Sequence, residues 1–191
     1  MKIEKDNLSP KQKKNAYVSI FVLVLIIIAF FIYKKQDNDY RDKLLSKNTK
    51  TTVGKIIGSS TYKTTHNYVE YEVNGEKFET RRSSSRIFNI GELYEIKYSE
   101  INPEICTVDY TSPIVLDKND YELINGVVTK TFENERLSVL SFEYHYLLKK
   151  YERDVILRKI GKLKKGSEIE ILVNKRKPKI SYLKSQIKKI Q

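Results

Sequence analysis

One pattern of residues occurs twice in this chain, the second copy trailing the first by 72 positions at Gly54/Gly126 and by 75 at Gly91/Gly166. Between those points Val69-x-Tyr71-x-Val73 matches Phe142-x-Tyr144-x-Tyr146, and beyond them Tyr94-x-Ile96-x-Tyr98 matches Ile169-x-Ile171-x-Val173. Asn102-Pro103 then matches Lys177-Pro178. An offset that grows only across turns marks a duplicated structural unit. The fold class predicted is mainly β: an N-terminal transmembrane helix followed by two tandem small antiparallel β modules, five-stranded and barrel-like, over 52–108 and 126–183. Units of this size have marginal cores alone, so the two are expected to pack on each other or on a partner.

Within the first copy, Thr52–Ser59 is a strand candidate. Val69, Tyr71 and Val73 then alternate with Tyr68, Glu70 and Glu72, the period-2 pattern of a half-buried strand. Asn74-Gly75 is a strong hairpin signal, because both residues accept positive φ. Lys77–Arg82 returns, Ser83–Ser85 reads as loop, and Leu93–Tyr98 and Ile105–Val108 complete the set. The second copy turns at Leu147-Leu148-Lys149-Lys150, with no Asn-Gly. Residues 109–125, which hold Ser112-Pro113 and a net charge of −3, are expected to be a linker. Residues 184–191 form a basic C-terminal tail. One or two helical turns are expected from Ser181 onward, with Leu183, Ile187 and Ile190 on one side.

Ala16–Tyr33 reads AYVSIFVLVLIIIAFFIY, with Ser19 its one clearly polar residue. At ~1.5 Å per residue, eighteen residues span about 27 Å, close to the hydrocarbon thickness of a bilayer. Tyr17 and Tyr33 suit the two interfaces, and the exit Phe30-Phe31-Ile32-Tyr33-Lys34 lacks the small residues of a signal-peptide cleavage site. Five basic residues lie in the tail 1–15 before the span and five in the fifteen residues after it, so positive charge does not fix the orientation. A short basic tail before a single apolar segment is how a signal anchor begins, which favours an exported domain. Residues 34–51 are expected to be a helical extension or stalk.

The net charge of +12 is uneven. Residues 52–108 carry 7 basic and 8 acidic side chains, while 126–183 carry 14 and 7. Two copies of one fold need not differ in this way, so the excess is a candidate contact surface. It lies in two turn regions, Arg158, Lys159, Lys162, Lys164 and Lys165, then Lys175, Arg176, Lys177 and Lys179, which a small barrel could bring to one end.

Tyr71-Glu72-Val73-Asn74-Gly75-Glu76-Lys77-Phe78, with Gly91, Tyr94-x-Ile96-x-Tyr98 and Asn102-Pro103, resembles the bacterial membrane-associated domain-of-unknown-function 3592 family. The resemblance covers 52–108 directly and 126–183 through the internal repeat. It departs from the family pattern at Glu100, where proline is common, and at Val173. It implies a small β domain beside a membrane helix, at the bacterial inner membrane, and carries over no catalytic residue.

The sequence offers no constellation for chemistry. His66 reads as a turn residue and His145 as a solvated strand residue. With Cys106 the only cysteine, too few Cys and His ligands exist for a zinc site. Gly161-Lys-Leu-Lys-Lys-Gly166-Ser167 lacks both the lysine after its second glycine and the following helix that a phosphate loop needs. No cofactor or metal is expected, and the chain reads as a non-enzymatic scaffold or accessory subunit that binds a protein partner, anchored in membrane lipid. The alternatives are an anionic-polymer, lipid-surface or nucleic-acid binder acting through the basic second module, and an immunity-type protein. Export would count strongly against nucleic acid.

Overall fold

The computed structural model describes residues 9–187. The N-terminal tail 1–15 and the C-terminal tail 184–191 therefore fall only partly within it, and Ile190 lies outside the described residues.

Two compact units make up the chain, 1–46 and 47–191. The first is a helix, α1 (Pro10–Ser46), that opens on a reciprocal cap. Ser9 Oγ accepts from Gln12 N at 3.3 Å, Gln12 Oε1 accepts from Ser9 N at 2.8 Å, and Pro10 occupies the first helical position. The helix is apolar on every side across its middle, and none of its most hydrophobic 18-residue window is buried. A helix that is hydrophobic all round needs an apolar medium, and α1 is long and apolar enough to cross a membrane. The helix continues without a break through Lys34–Ser46, so the first part of the expected stalk is helical.

The second unit holds two five-stranded antiparallel sheets. The first comprises β1 (Thr49–Tyr62), β2 (Thr64–Val73), β3 (Glu76–Ser84), β4 (Leu93–Ser99) and β5 (Cys106–Pro113), in the order β3-β2-β1-β4-β5. The second comprises β6 (Tyr121–Glu133), β7 (Ser138–Tyr146), β8 (Lys149–Leu157), β9 (Glu168–Asn174) and β10 (Ser181–Leu183), in the order β8-β7-β6-β9-β10. The orders are the same, and so are the details. Ile56 exchanges backbone bonds with Gly91 and Glu92, as Val128 does with Gly166 and Ser167. Register shifts fall at Ile56/Gly58 and at Val128/Lys130, bulges that bend and twist the sheets. Tyr71 donates its hydroxyl to Pro103 O at 2.7 Å and stacks on Phe78, while Tyr144 donates to Pro178 O at 2.5 Å and stacks on Tyr151.

The sheets curl but their ladders do not close. Arg82 Nη2 donates to Cys106 O at 2.5 Å, joining edge strands β3 and β5 through a side chain. Gln186 Nε2 donates to Ile156 O at 2.8 Å, doing the same for the edge of β8. Cys106 itself is free and buried.

Three readings are corrected. Residues 109–125 are not a linker: β5 runs to Pro113 and β6 starts at Tyr121, leaving a short connection with a 3-10 turn at Lys118–Asp120. His66 and Ser83 face each other in the β2–β3 ladder, not in loops. Ser181–Leu183 is a strand, with a 3-10 turn at Lys184–Gln186.

Gly54 is where the first sheet packs most tightly. A Cβ there would lie 2.5 Å from Ile96 Cγ1 and 2.8 Å from Val69 Cγ1, both deep in the core. At Gly126 the nearest atom would be Glu143 O, at 3.0 Å. Gly54→Ala is therefore expected to destabilise the chain by on the order of 1–2 kcal/mol through overpacking, and Gly126→Ala by less. Urea midpoints of the two variants against the parent check the ranking.

Candidate partner-binding groove

The two sheets meet across a joint that neither repeat contains alone. At its centre the Glu92 carboxylate, fully buried, accepts from Asn89 N at 2.6 Å and Asn89 Nδ2 at 2.7 Å. It also accepts from the Tyr94 hydroxyl at 2.5 Å and from Arg153 Nη2 of the second module at 2.5 Å. Arg153 is buried too and lies 5.9 Å from the centre of the Phe88 ring. Burial alone would pull its guanidinium down, but the Glu92 charge outweighs this and holds it above the ordinary arginine value. Burial, reinforced by Glu92, likewise raises the Tyr94 hydroxyl well above the ordinary tyrosine range.

Around this centre, Asn89 Nδ2 donates to Lys179 O at 3.0 Å, and Arg86 pairs with Asp154 at 2.9 Å. Arg158 reaches Asp109 at 2.9 Å and Thr111 Oγ1 at 3.2 Å. Asp109 also accepts from Thr111 N and Oγ1 and from Ser112 Oγ. Partial burial opposes its charge, yet the bonds from Thr111, Ser112 and Arg158 prevail and hold its carboxyl below the ordinary aspartate value. A lowered folded pKa means that this stabilisation is complete above the unfolded value of about 4 and is lost as pH falls through the lower folded value. Asp109→Asn is accordingly expected to flatten the fall in stability below about pH 4, measured as urea midpoints at pH 7 and pH 3.

Beside the joint runs a groove of about 610 Å³, with Phe88, Asn89 and Ile90 on one side and Tyr151, Lys177, Pro178, Lys179 and Ile180 on the other. An adjoining cleft of about 740 Å³ shares Asn89, Tyr151 and Lys179 and adds Ile87, Arg86 and the strand Lys150–Asp154. Ile87 and Ile90 are 56% and 60% exposed. Isolated surface isoleucines need no explanation, but two at the lip of a concave site built from both modules do.

All nine basic residues expected to form the contact surface are exposed, but they do not share one end. Leu157 lies opposite Ser138, and Ser138 opposite Glu133, so the Arg158–Lys165 loop leaves from the end of β6. Asn174 lies opposite Tyr121, so the Lys175–Lys179 turn sits at the start of β6. Strand polarity puts the two basic turns at opposite poles. Arg158 is tied into the joint, Lys175 Nζ donates to Asn119 O, and Arg176 sits 3.9 Å from Asp120. Lys177 and Lys179 line the groove. Lys159, Lys162, Lys164 and Lys165 are at the far pole, where no ion pair is made to them among the described residues.

Sequence reasoning missed Glu92, Asn89, Ile87 and Ile90. The available signal was mismatch between the copies: by the ladder contacts Glu92 corresponds to Ser167 and Arg153 to Thr80, so the fold itself requires neither charge. No protein-family model matches this chain, and no curated protein is significantly similar to it.

Proposed function

We propose that this chain is a single-pass, membrane-anchored scaffold or accessory subunit, without catalytic activity, that binds a protein partner at the bacterial envelope. The observation that carries this reading is the groove at the module joint, with exposed Ile90 at its lip and Lys177 and Lys179 on its opposite wall, continued by the adjoining cleft that exposed Ile87 lines. A segment pairing apolar with acidic side chains complements both features. The basic start before the apolar span favours an N-terminus inside the inner membrane and an exported domain. Recovery of partners from membranes by the tagged full chain tests the reading. Ile90→Asp with Lys179→Glu is expected to reduce recovery about tenfold or more, while external protease removes the domain from spheroplasts. Unchanged recovery rejects the groove, and full protection rejects the orientation.

A second reading has its own observation, Lys159, Lys162, Lys164 and Lys165 at the far pole, to which no ion pair is made among the described residues. These suit an anionic surface. Lys164→Glu with Lys165→Glu would then abolish salt-sensitive binding to anionic vesicles without affecting the groove.

A further inference from the structure

Resting on the groove reading, we infer that the open edge of β8 receives an extended segment of the protein partner as an added strand. The hairpin register determines which backbone groups are available. Leu147 and Leu148, with φ of 49° and 62°, form a two-residue turn that makes Tyr146 and Lys149 a hydrogen-bonded pair. Pairing then alternates, so Tyr151 and Arg153 spend their N–H and C=O groups on β7, while those of Lys150, Glu152 and Asp154 point away from it. Ile156, next in the outward series, bears this out, because its carbonyl accepts from Gln186. Among the described residues nothing occupies the outward groups of Lys150, Glu152 and Asp154.

This stretch of edge lines the 740 Å³ cleft without a gap from Lys150 to Asp154. Along β8 the side chains alternate, with Arg153, Val155 and Leu157 buried and Lys150 and Glu152 exposed. A cavity that touches both sets must run along the backbone edge itself. Strand addition supplies main-chain bonds there, and neighbouring side-chain sites supply selectivity. Apolar Ile87 and Tyr151 and cationic Lys179 all line the cleft, which calls for a segment with apolar and acidic residues in alternation. Arg86 and Ile87 of the first module form the far wall, and Arg86, paired with Asp154 at 2.9 Å, would have to swing aside for an added strand to extend to that end.

Random nine-residue peptides displayed on phage and selected on the full chain in nanodiscs provide the probe. Selected peptides should alternate apolar with acidic residues and should slow amide exchange at Glu152 and Asp154 of the unmodified chain by at least about tenfold. Glu152→Pro removes an outward N–H that β7 does not use, a position where an edge strand tolerates proline. It should weaken the peptides at least about tenfold with little change in urea midpoint. Ile90→Asp with Lys179→Glu should weaken them as well. Peptides that lose binding to the groove variant but bind Glu152→Pro at parental strength, with no protection at Glu152 and Asp154, overturn strand addition and leave the groove standing. Peptides indifferent to both variants, or no selected peptide at all, overturn both. A dimer of the parent chain that Glu152→Pro converts to monomer makes the occupant a second copy and also overturns the proposal.

Discussion

Arg153→Met lowers the unfolding free energy of the full chain by about 3–5 kcal/mol, the usual consequence of leaving one buried charge without its partner. The carboxylate left behind is that of Glu92, which no solvent reaches. Its remaining donors, Asn89 and the Tyr94 hydroxyl, are neutral and do not replace a guanidinium. Arg153→Lys is expected to recover only part of the loss, because an ammonium does not offer the planar fork that reaches Glu92 past the Phe88 ring. Glu92→Gln combined with Arg153→Met removes both charges and keeps an acceptor for Asn89, so it should lie well above the single variant. Denaturant midpoints and slopes for the three variants in nanodiscs check this. A single variant within about 0.5 kcal/mol of the parent would mean that water reaches the pair.

Exchanging Leu147-Leu148 for Asn-Gly raises stability by about 2–3 kcal/mol, since positive φ costs a β-carbon residue about 1–2 kcal/mol and is natural to Asn and Gly. The first module shows the relaxed solution, with Asn74 at φ 54° and Gly75 at 85° in the equivalent turn. The reverse exchange, Asn74-Gly75 to Leu-Leu, should lower stability by a similar amount. Both are read from the same denaturation curves. Leu147 and Leu148 are 75% and 104% exposed, so packing does not account for them. Only Lys149 separates them from Lys150 and Tyr151 of the cleft, and contact with a bound segment gives a reason to keep them. The stabilised variant should therefore recover less partner than the parent.

The repeat, the period-2 strands, the Asn74-Gly75 turn and the apolar span were legible because each is local and follows directly from side-chain spacing. Residues 109–125 misled for a physical reason. Asp109, Asp117, Asp120 and Glu122 interrupt the apolar alternation there, yet Asp109 is held inside the joint by Thr111, Ser112 and Arg158, so a carboxylate within β5 is stable. The basic turns were visible as charge, but their placement depends on strand direction. In the order β8-β7-β6-β9-β10, two successive turns of the chain leave from opposite ends. The groove was hidden because it belongs to neither repeat. Ile87 and Ile90 sit in what reads as a loop, and a lone Glu92 just before β4 or a lone Arg153 on β8 reads as a solvated charge until the other module covers it.

The ion pair at the joint also bears on how the molecule comes apart. Glu92 and Arg153 belong to different sheets, and each has its counter-charge in the other. Opening the joint breaks this pair and exposes the Phe88 and Tyr94 rings packed beside it, so intermediates with one module intact are expected to be poorly populated. The duplicated halves then melt in a single cooperative transition. Although residues 47–191 are built as two copies, they are expected to unfold on heating as one body.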